Sequence, residues 1–169
     1  MVKKNSETST KAEKGNIDFI LFALKQTHEA IAFGFTKNES RRNLKTALDQ
    51  YWQNKEMRLS GINQKDKIPK SISAQEDHGK TNVEHAVPIK VIIDLLLELE
   101  APNKHNVRDI LQKLYRVCRV TEEEHKKLRD VGLRYEMPAD WNKSDPFARY
   151  KVAGIFVNYE DFPSPATDS

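Results

Sequence analysis

An apolar run after Pro88 constrains the fold of this chain more than any other segment. Residues 89–99 are apolar on almost every side of a helix drawn through them, which predicts a helix that is buried on most of its surface. Pro88 suits the first turn of this helix, because the N–H that proline lacks would have no helical partner there. The chain has 169 residues, enough to bury about two-thirds of its surface around such a helix. We therefore expect one domain, or one domain with a helical extension.

A hairpin of two helices is predicted ahead of this domain. Apolar residues recur at helical spacing over 17–33 and again after residue 39, so the hairpin covers 17–60, with Asn38 or Ser40 capping its second helix. Residues 1–16 are almost entirely polar, and they cannot offset the entropy that ordering would cost. We expect them to form a disordered tail.

The remaining chain is expected to form a polar loop, a core domain and a short tail. The loop covers 61–82, the core domain 83–159 and the frayed tail 160–169. Inside the core domain, residues 115–120 alternate in polarity and predict a strand, and Thr121-x-x-Glu124 predicts a capping box that opens a helix. The predicted fold class is mainly α, within an α+β arrangement: a helical hairpin followed by a compact helical domain with a short β element.

Several functional classes are excluded by residues that the chain lacks. The single cysteine, Cys118, allows no internal disulfide and no cysteine-rich zinc site within one chain, and its apolar surroundings predict a core residue. The chain has no glycine-rich phosphate loop, no Gly-x-Ser-x-Gly and no Cys-x-x-Cys, which excludes P-loop NTPases, elbow-type serine hydrolases and thiol redox enzymes. The longest apolar run, Val91–Leu99, is too short to cross a bilayer. We expect a cytoplasmic protein with no membrane partner.

A basic segment at 37–70 is the feature that points to nucleic acid. It contains nine lysines and arginines against four acids, although the whole chain carries a net charge of only +3. Arg41, Arg42 and Lys45 lie off the apolar face of the second predicted helix, close to a Tyr51-Trp52 pair. Clustered cations with aromatic neighbours are typical of nucleic-acid binding. A solvated helix face followed by a charged loop is the alternative explanation.

Two segments place a histidine beside carboxylates at the start of a helix. Glu84-His85 ends a predicted strand, where a carboxylate can bind a hard cation and a neutral imidazole can accept a proton from water. His125 lies in the first turn of the later helix, whose dipole disfavours the charged ring, whereas Glu122–Glu124 favour it. A cation, a base and a ligand of this kind are the parts that phosphodiester hydrolysis requires.

The sequence Glu84-His85-Ala86-Val87-Pro88 has the acidic-His-x-x-Pro form, and at these residues the chain resembles the HNH, or ββα-metal, nuclease superfamily. That resemblance implies that Glu84 is a metal ligand, that His85 is the general base, and that His125 is a second ligand in a helix that follows a later strand. It further implies Mg²⁺ or Mn²⁺ as cofactor and DNA as substrate. The stretch 81–155 also resembles a group of uncharacterised phage and bacterial proteins.

The chain departs from the pattern of that superfamily in two respects. The spacing from His85 to His125 is longer than a compact ββα unit needs, and a buried helix is predicted between them. Asn103 and Asn106 are the nearest candidates for the asparagine that the pattern places between the histidines, and Asn106 is also expected to cap a short helix.

Two functions of different classes remain open at this point. One is a DNA endonuclease in which Arg41, Arg42, Lys45 and Arg149 contact nucleic acid. The other is a non-enzymatic protein, associated with a phage or its host, that binds a protein or a nucleic acid. In that case His85 is a half-buried histidine, Glu84 a cap and His125 a surface residue. Arg149 is then an arginine stacked on a neighbouring ring. A homodimer is compatible with either function.

Overall fold

The computed structural model describes residues 7–60 and 68–162, and it describes side chains over 17–50 and 68–162. In this part of the chain the fold is mainly helical with one small antiparallel sheet, so the predicted fold class is confirmed. The elements are α1 (Glu7–Phe33), α2 (Lys37–Ser60), α3 (Ile72–Glu76), β1 (Thr81–His85), α4 (Ile89–Leu97), α5 (Lys104–Leu114), β2 (Val117–Thr121), α6 (Glu122–Asp130) and α7 (Ala148–Ala153). A 3-10 turn follows at Tyr159–Asp161.

The chain divides into two compact units. The first, which we call the helical unit, comprises Met1–Gln64 together with Leu95–Arg108, and the second, the mixed unit, comprises Lys65–Asp94 together with Asp109–Ser169. The predicted core domain 83–159 is therefore divided, because the end of α4 and the start of α5 belong to the helical unit.

The helical unit is built on the predicted hairpin. Helices α1 and α2 pack together through buried aliphatic side chains that include Ile20, Leu24, Leu44 and Leu48. The first helix ends at Phe33, as predicted, and Gly34 takes a left-handed backbone with φ of 116°. Glycine adopts this conformation without steric cost, which explains the stop.

Both helices of the hairpin begin earlier than the sequence predicts. Helix α1 starts at Glu7 rather than near Ile17, because extending a helix that is already nucleated costs much less than starting one, even through Gly15 and Asn16. The cap of α2 is Thr36, not Asn38 or Ser40: Glu39 N donates to Thr36 Oγ1 (3.2 Å) and Thr36 N donates to Glu39 Oε2 (2.8 Å). Residues 1–6 of the predicted tail lie outside the described residues.

The mixed unit contains a two-stranded sheet followed directly by helix α6. Strand β1 pairs antiparallel with β2, with Glu84 opposite Cys118 and His85 opposite Val117. Helix α6 starts at the residue after β2 and contacts both strands. Helices α4 and α5 lie between β1 and β2 in sequence, which accounts for the long spacing between the two histidine segments. The core of this unit is formed by Ala86, Cys118, Val120, Leu128, Phe147, Tyr150, Ala153, Ile155 and Phe162.

The predicted capping box at the start of α6 is confirmed. Glu124 N donates to Thr121 Oγ1 (3.1 Å) and Thr121 N donates to Glu124 Oε2 (2.9 Å). The carboxylate is 2 % exposed, and its Oε2 also accepts a hydrogen bond from Ser71 Oγ (2.6 Å). Ser71 is itself the N-cap of α3, with its Oγ accepting from Ala74 N (3.1 Å). Glu124 therefore joins the starts of two helices.

Helix α5 is capped differently from the prediction. Asn103 Oδ1 accepts hydrogen bonds from His105 N (2.9 Å) and Asn106 N (3.1 Å), so Asn103 is the cap and Asn106 lies inside the helix. Asn106 Oδ1 accepts from Asn103 N in return (2.8 Å), which stabilises the same turn. Two asparagines three residues apart can each accept a hydrogen bond from the backbone N–H of the other. The sequence therefore offered two candidates for the cap, and the prediction of Asn106 was wrong.

Two further predictions concern the membrane and the C-terminal tail. Among the described helices, none combines the length and apolar character needed to cross a bilayer. Residues Tyr159–Asp161 form an ordered turn and Phe162 is buried, so the start of the predicted frayed tail belongs to the core. Residues 163–169 lie outside the described part of the chain.

Replacing Thr121 by alanine is expected to lower the free energy of unfolding by about 1–2 kcal/mol, because it removes the acceptor for Glu124 N at the start of α6. Urea unfolding followed by circular dichroism measures the change. Ser73→Ala, an exposed position in α3, is the control and is expected to change stability by less than about 0.5 kcal/mol. Equal effects of the two substitutions would contradict the capping role.

Candidate functional site

The two predicted metal ligands meet in the mixed unit. Glu84 lies on β1, and His125 lies in the first turns of the helix that leaves β2. Glu84 Oε1 is 2.6 Å from His125 Nδ1, and both side chains are largely buried. The direct passage of β2 into α6, together with the packing of α6 on the sheet, brings these distant parts of the sequence together.

The contact between these two atoms is close but not directional. His125 Nδ1 is buried and makes no aligned hydrogen bond, although Oε1 lies 2.6 Å away. A hydrogen bond requires the N–H to point at its acceptor, so the short distance here is a close contact between the two atoms and not a regular hydrogen bond. His125 Nδ1 is therefore a buried polar atom without a satisfied bonding direction.

Arg149 of α7 occupies the other side of the Glu84 carboxylate. Its side chain is 1 % exposed, and each of its five N–H groups meets a protein oxygen. Nε donates to the Ala86 carbonyl (2.8 Å), Nη1 donates to the carbonyls of Leu133 (2.8 Å) and Arg134 (3.0 Å), and Nη2 donates to Glu84 Oε2 (2.8 Å) and to the His85 carbonyl. The guanidinium is thereby fully satisfied.

This position contradicts the predicted contact of Arg149 with nucleic acid. A buried guanidinium with all of its donors engaged has none left for a phosphate. Its Cζ atom lies 5.7 Å from the centroid of the Tyr150 ring, in agreement with the alternative in which the arginine lies beside an aromatic neighbour.

His85 has different neighbours from Glu84. Its Nε2 lies 3.3 Å from Tyr115 Oη, and the two rings meet edge to face with centroids 5.3 Å apart. Successive residues of a strand point to opposite faces, which explains why Glu84 contacts His125 whereas His85 contacts Tyr115. Its catalytic role stays a prediction.

Burial governs the protonation of two other groups beside this site. Burial, together with the nearby Glu124 carboxylate, raises the pKa of the Cys118 thiol to about 12. Burial also raises the pKa of Tyr150 well above its ordinary value. Both groups stay neutral at physiological pH, so Cys118 is the core residue that the sequence predicts and not a nucleophile.

The other predicted nucleic-acid contacts belong to the helical unit. Arg42 and Lys45 are exposed on α2, and Arg41 is half-buried with its Nη1 donating to Asn38 Oδ1 (3.3 Å). The side chains of the Tyr51-Trp52 pair lie outside the described residues. Binding of nucleic acid by these cations stays a prediction.

Two exposed arginines belong to the segments that surround the site, and the sequence analysis did not single them out. Arg129 lies one helical turn after His125, on the same side of α6. Arg134 has its carbonyl bound by Arg149, and its guanidinium lies over the ring of Tyr135, 5.0 Å from the centroid. The spacing of four residues from His125 to Arg129 was visible in the sequence, whereas no sequence signal places Arg134 near the site.

Within the described residues, no group of three or more His, Cys, Asp or Glu side chains is arranged to hold a metal ion. The site therefore offers two protein donors, Glu84 Oε1 and His125 Nδ1. Comparison with known proteins adds nothing to this geometry, because no protein-family model, curated protein or solved structure matches the chain.

Replacing Arg149 by methionine is expected to lower the free energy of unfolding by about 3–5 kcal/mol, because it leaves the Glu84 carboxylate buried without its charged partner. Thermal and urea unfolding measure the loss. Arg129→Met, which removes an exposed arginine, is the matched control and is expected to be nearly neutral. An Arg149→Met variant as stable as this control would show that the guanidinium network contributes nothing.

The buried thiol predicts a dependence of stability on alkaline pH. The folded state keeps the Cys118 proton that the unfolded state loses above about pH 9, so the free energy of unfolding is expected to fall as the pH rises from 9 towards 12. Urea unfolding across this range measures the slope. Cys118→Ala is expected to reduce the slope without abolishing it, because Tyr150 titrates in the same direction. An unchanged slope in that variant would rule out the contribution of the thiol.

Proposed function

We propose that this protein hydrolyses phosphodiester bonds in DNA, with a divalent cation bound by Glu84 and His125. One observation carries the proposal: two strands and a following helix bring Glu84 Oε1 within 2.6 Å of His125 Nδ1. A carboxylate at the end of one strand and an imidazole at the start of the next helix are the two ligands that the resemblance to ββα-metal nucleases implies.

The donor set fits a cation of the Mg²⁺ or Mn²⁺ type. One carboxylate oxygen and one imidazole nitrogen suit Mn²⁺, and Mg²⁺ commonly binds through one or two protein ligands while keeping several waters. His125 Nδ1 is buried without a directional hydrogen bond, as expected of an atom whose partner is a ligand. When bound, such a cation neutralises charge on the scissile phosphate and stabilises the leaving oxygen.

Arg149 positions the carboxylate for this role. Its Nη2 holds Glu84 Oε2 at 2.8 Å, which leaves Oε1 on the side of His125. Its other hydrogen bonds fix the backbone on both sides of the site, at Ala86 and at Leu133–Arg134. A ligand held by a second residue in this way is oriented before the cation binds.

His85 is the base in this proposal, and Arg129 and Arg134 are the phosphate contacts. The resemblance alone supports His85 as the base, because its ring contacts Tyr115 and points to the face of β1 opposite Glu84. Arg129 is exposed one helical turn after His125, and Arg134 is exposed on the segment whose carbonyl Arg149 binds, so both can supply cations for the flanking phosphates of a strand. Each of these roles can be removed separately by substitution.

A non-catalytic binding protein is the second candidate, and the Arg149 network favours it. Both oxygens of Glu84 already have positively charged or imidazole partners, so the group is satisfied as a purely structural ion-pair network. On this alternative the protein binds a nucleic acid or another protein through its exposed residues. The two candidates differ in whether a divalent cation binds at Glu84 and His125.

Metal binding is the first test. We expect Mn²⁺ to bind the wild-type protein in isothermal titration calorimetry, and Glu84→Gln or His125→Asn to weaken binding at least about tenfold, since each removes one of two protein donors. Glu136→Gln, an exposed carboxylate, is the matched control. Equal Mn²⁺ affinity in all four proteins, or no binding to any, would favour the structural network.

Cleavage is the second test. His85→Ala is expected to lower Mg²⁺- or Mn²⁺-dependent cleavage of plasmid DNA by about 10²–10⁴-fold, the usual contribution of a general base, with Mn²⁺ affinity retained. His78→Ala, which removes an exposed histidine, is the control for the loss of an imidazole. Cleavage that survives in His85→Ala would exclude this residue as the base.

A further inference from the structure

The mixed unit contains a second site, an open pocket of about 440 Å³. Its volume falls within the range of small-ligand sites. The lining residues are Lys113, Arg116, Asp145, Pro146, Phe147, Tyr159 and Phe162. None of them is a predicted catalytic or metal-binding residue.

The charge of this pocket is positive and uncompensated. The Asp145 carboxylate is already neutralised, with Lys151 Nζ bound to Oδ2 (2.6 Å) and Phe147 N donating to Oδ1 (2.9 Å). Lys113 and Arg116 form no ion pair among the described residues. Arg116 is also half-buried, and this desolvation lowers its pKa. A partly desolvated cation without a counter-charge favours an anionic ligand.

The aromatic wall of the pocket is fixed on one side and exposed on the other. The Phe147 ring packs edge-on against Phe162, with centroids 4.8 Å apart, and against Tyr159, with centroids 5.4 Å apart. Phe147 and Phe162 are buried, whereas Tyr159 is 53 % exposed. Tyr159 therefore presents a ring that is held by Phe147, with Lys151 Nζ 5.7 Å from its centroid, and that leaves about half of its surface open to a planar ligand.

The pocket is linked to the candidate metal centre through Ala86. The Ala86 N–H donates to the carbonyl of Arg116 (2.8 Å), and the Ala86 carbonyl accepts from Arg149 Nε (2.8 Å). Arg116, which lines the pocket, and Arg149, which holds Glu84, are thus bound to the same residue. The backbone of Arg116, a lining residue of the pocket, is thus one hydrogen bond from the turn that follows Glu84-His85.

We propose that this pocket binds an unpaired nucleotide, with its phosphate on Lys113 and Arg116 and its base against Tyr159. Base stacking on an exposed ring beside cations is the usual chemistry of single-strand recognition. The ligand is a nucleotide unit of a strand or a free nucleotide, which share this chemistry. The charge and the rings of the pocket indicate an anionic aromatic ligand independently of the proposed function. The choice of a nucleotide among such ligands rests on the proposed hydrolysis of DNA.

The fluorescence of Trp141 can report the binding of a ligand in the pocket. Its Nε1 donates to the carbonyl of Asp145 (2.8 Å), a residue that lines the pocket. In a Trp52→Phe background Trp141 is the only tryptophan, because the chain has two. Titration with a short single-stranded oligodeoxyadenylate, with dAMP and with a blunt duplex, all in EDTA, measures binding without cleavage.

We expect the single strand or dAMP to change Trp141 fluorescence, and the duplex to bind less tightly because its bases are stacked. Tyr159→Ala is expected to weaken binding about tenfold. Lys113→Gln and Arg116→Gln are expected to weaken it as well, and for the oligonucleotide each reduces the slope of log K against log salt by about 0.7. Lys80→Gln is the matched control, an exposed lysine at a different surface of the unit.

Three outcomes would overturn the inference: no response to the single strand or to dAMP, equal affinity in Lys113→Gln and Lys80→Gln, or tighter binding of the duplex. Lys113 and Tyr159 are exposed, so the test does not depend on the folding of Arg116→Gln. If the wild-type protein shows no metal-dependent cleavage but Lys113→Gln and Tyr159→Ala still weaken nucleotide binding, the proposed hydrolysis is rejected and the proposed nucleotide pocket is retained. If the protein cleaves DNA but neither substitution weakens nucleotide binding, the pocket proposal is rejected and the proposed hydrolysis is retained.

Discussion

The mixed unit depends on one buried positive charge. A guanidinium taken out of water is costly unless every donor finds an oxygen, and Arg149 finds five. Those oxygens belong to β1 and the residue that follows it, and to the segment after α6. The side chain therefore fixes three parts of the chain relative to one another. Its geometry, rather than the bulk of the small sheet, determines where Glu84 points.

The two carboxylate oxygens of Glu84 have different partners, one in the structural network of Arg149 and one in the candidate metal site. Oε2 faces the guanidinium, and Oε1 faces His125. This division explains how the same carboxylate can belong to a stable ion-pair network and still offer an oxygen to a ligand. The contact of Oε2 with Arg149 also sets the direction of Oε1. The structural role of Glu84 and its proposed role as a ligand therefore depend on each other.

Much of the local structure could be predicted from the sequence, because caps and helix ends leave signals within a few residues. Thr121-x-x-Glu124 predicted the start of α6, and Gly34 marked the end of α1. The same threonine–glutamate pattern at Thr36 was overlooked. The convergence of Glu84 and His125 was expected from the resemblance alone, since no local pattern measures the pairing of β1 with β2.

The environment of Arg149 could not be predicted in the same way. Four of its five acceptors are backbone carbonyls. Every residue has a backbone carbonyl, so the amino-acid sequence does not indicate which of them will accept from an arginine. An arginine in an irregular, aromatic-rich segment is therefore easily assigned to the surface. The division of the chain into two units was missed for a related reason: it falls inside α4 and α5, where the sequence shows continuous helical periodicity and no linker.

The placement of α4 and α5 between the paired strands has a consequence during synthesis. When Glu84 emerges from the ribosome, β2 and His125 have not yet emerged, and Arg149 follows only after a further stretch of chain. The carboxylate is then hydrated and unpaired, and closing so large a loop is slow compared with local helix formation. The nascent chain consequently carries folded helices well before it carries the charged centre, and whatever chemistry that centre performs begins only after α7 has emerged.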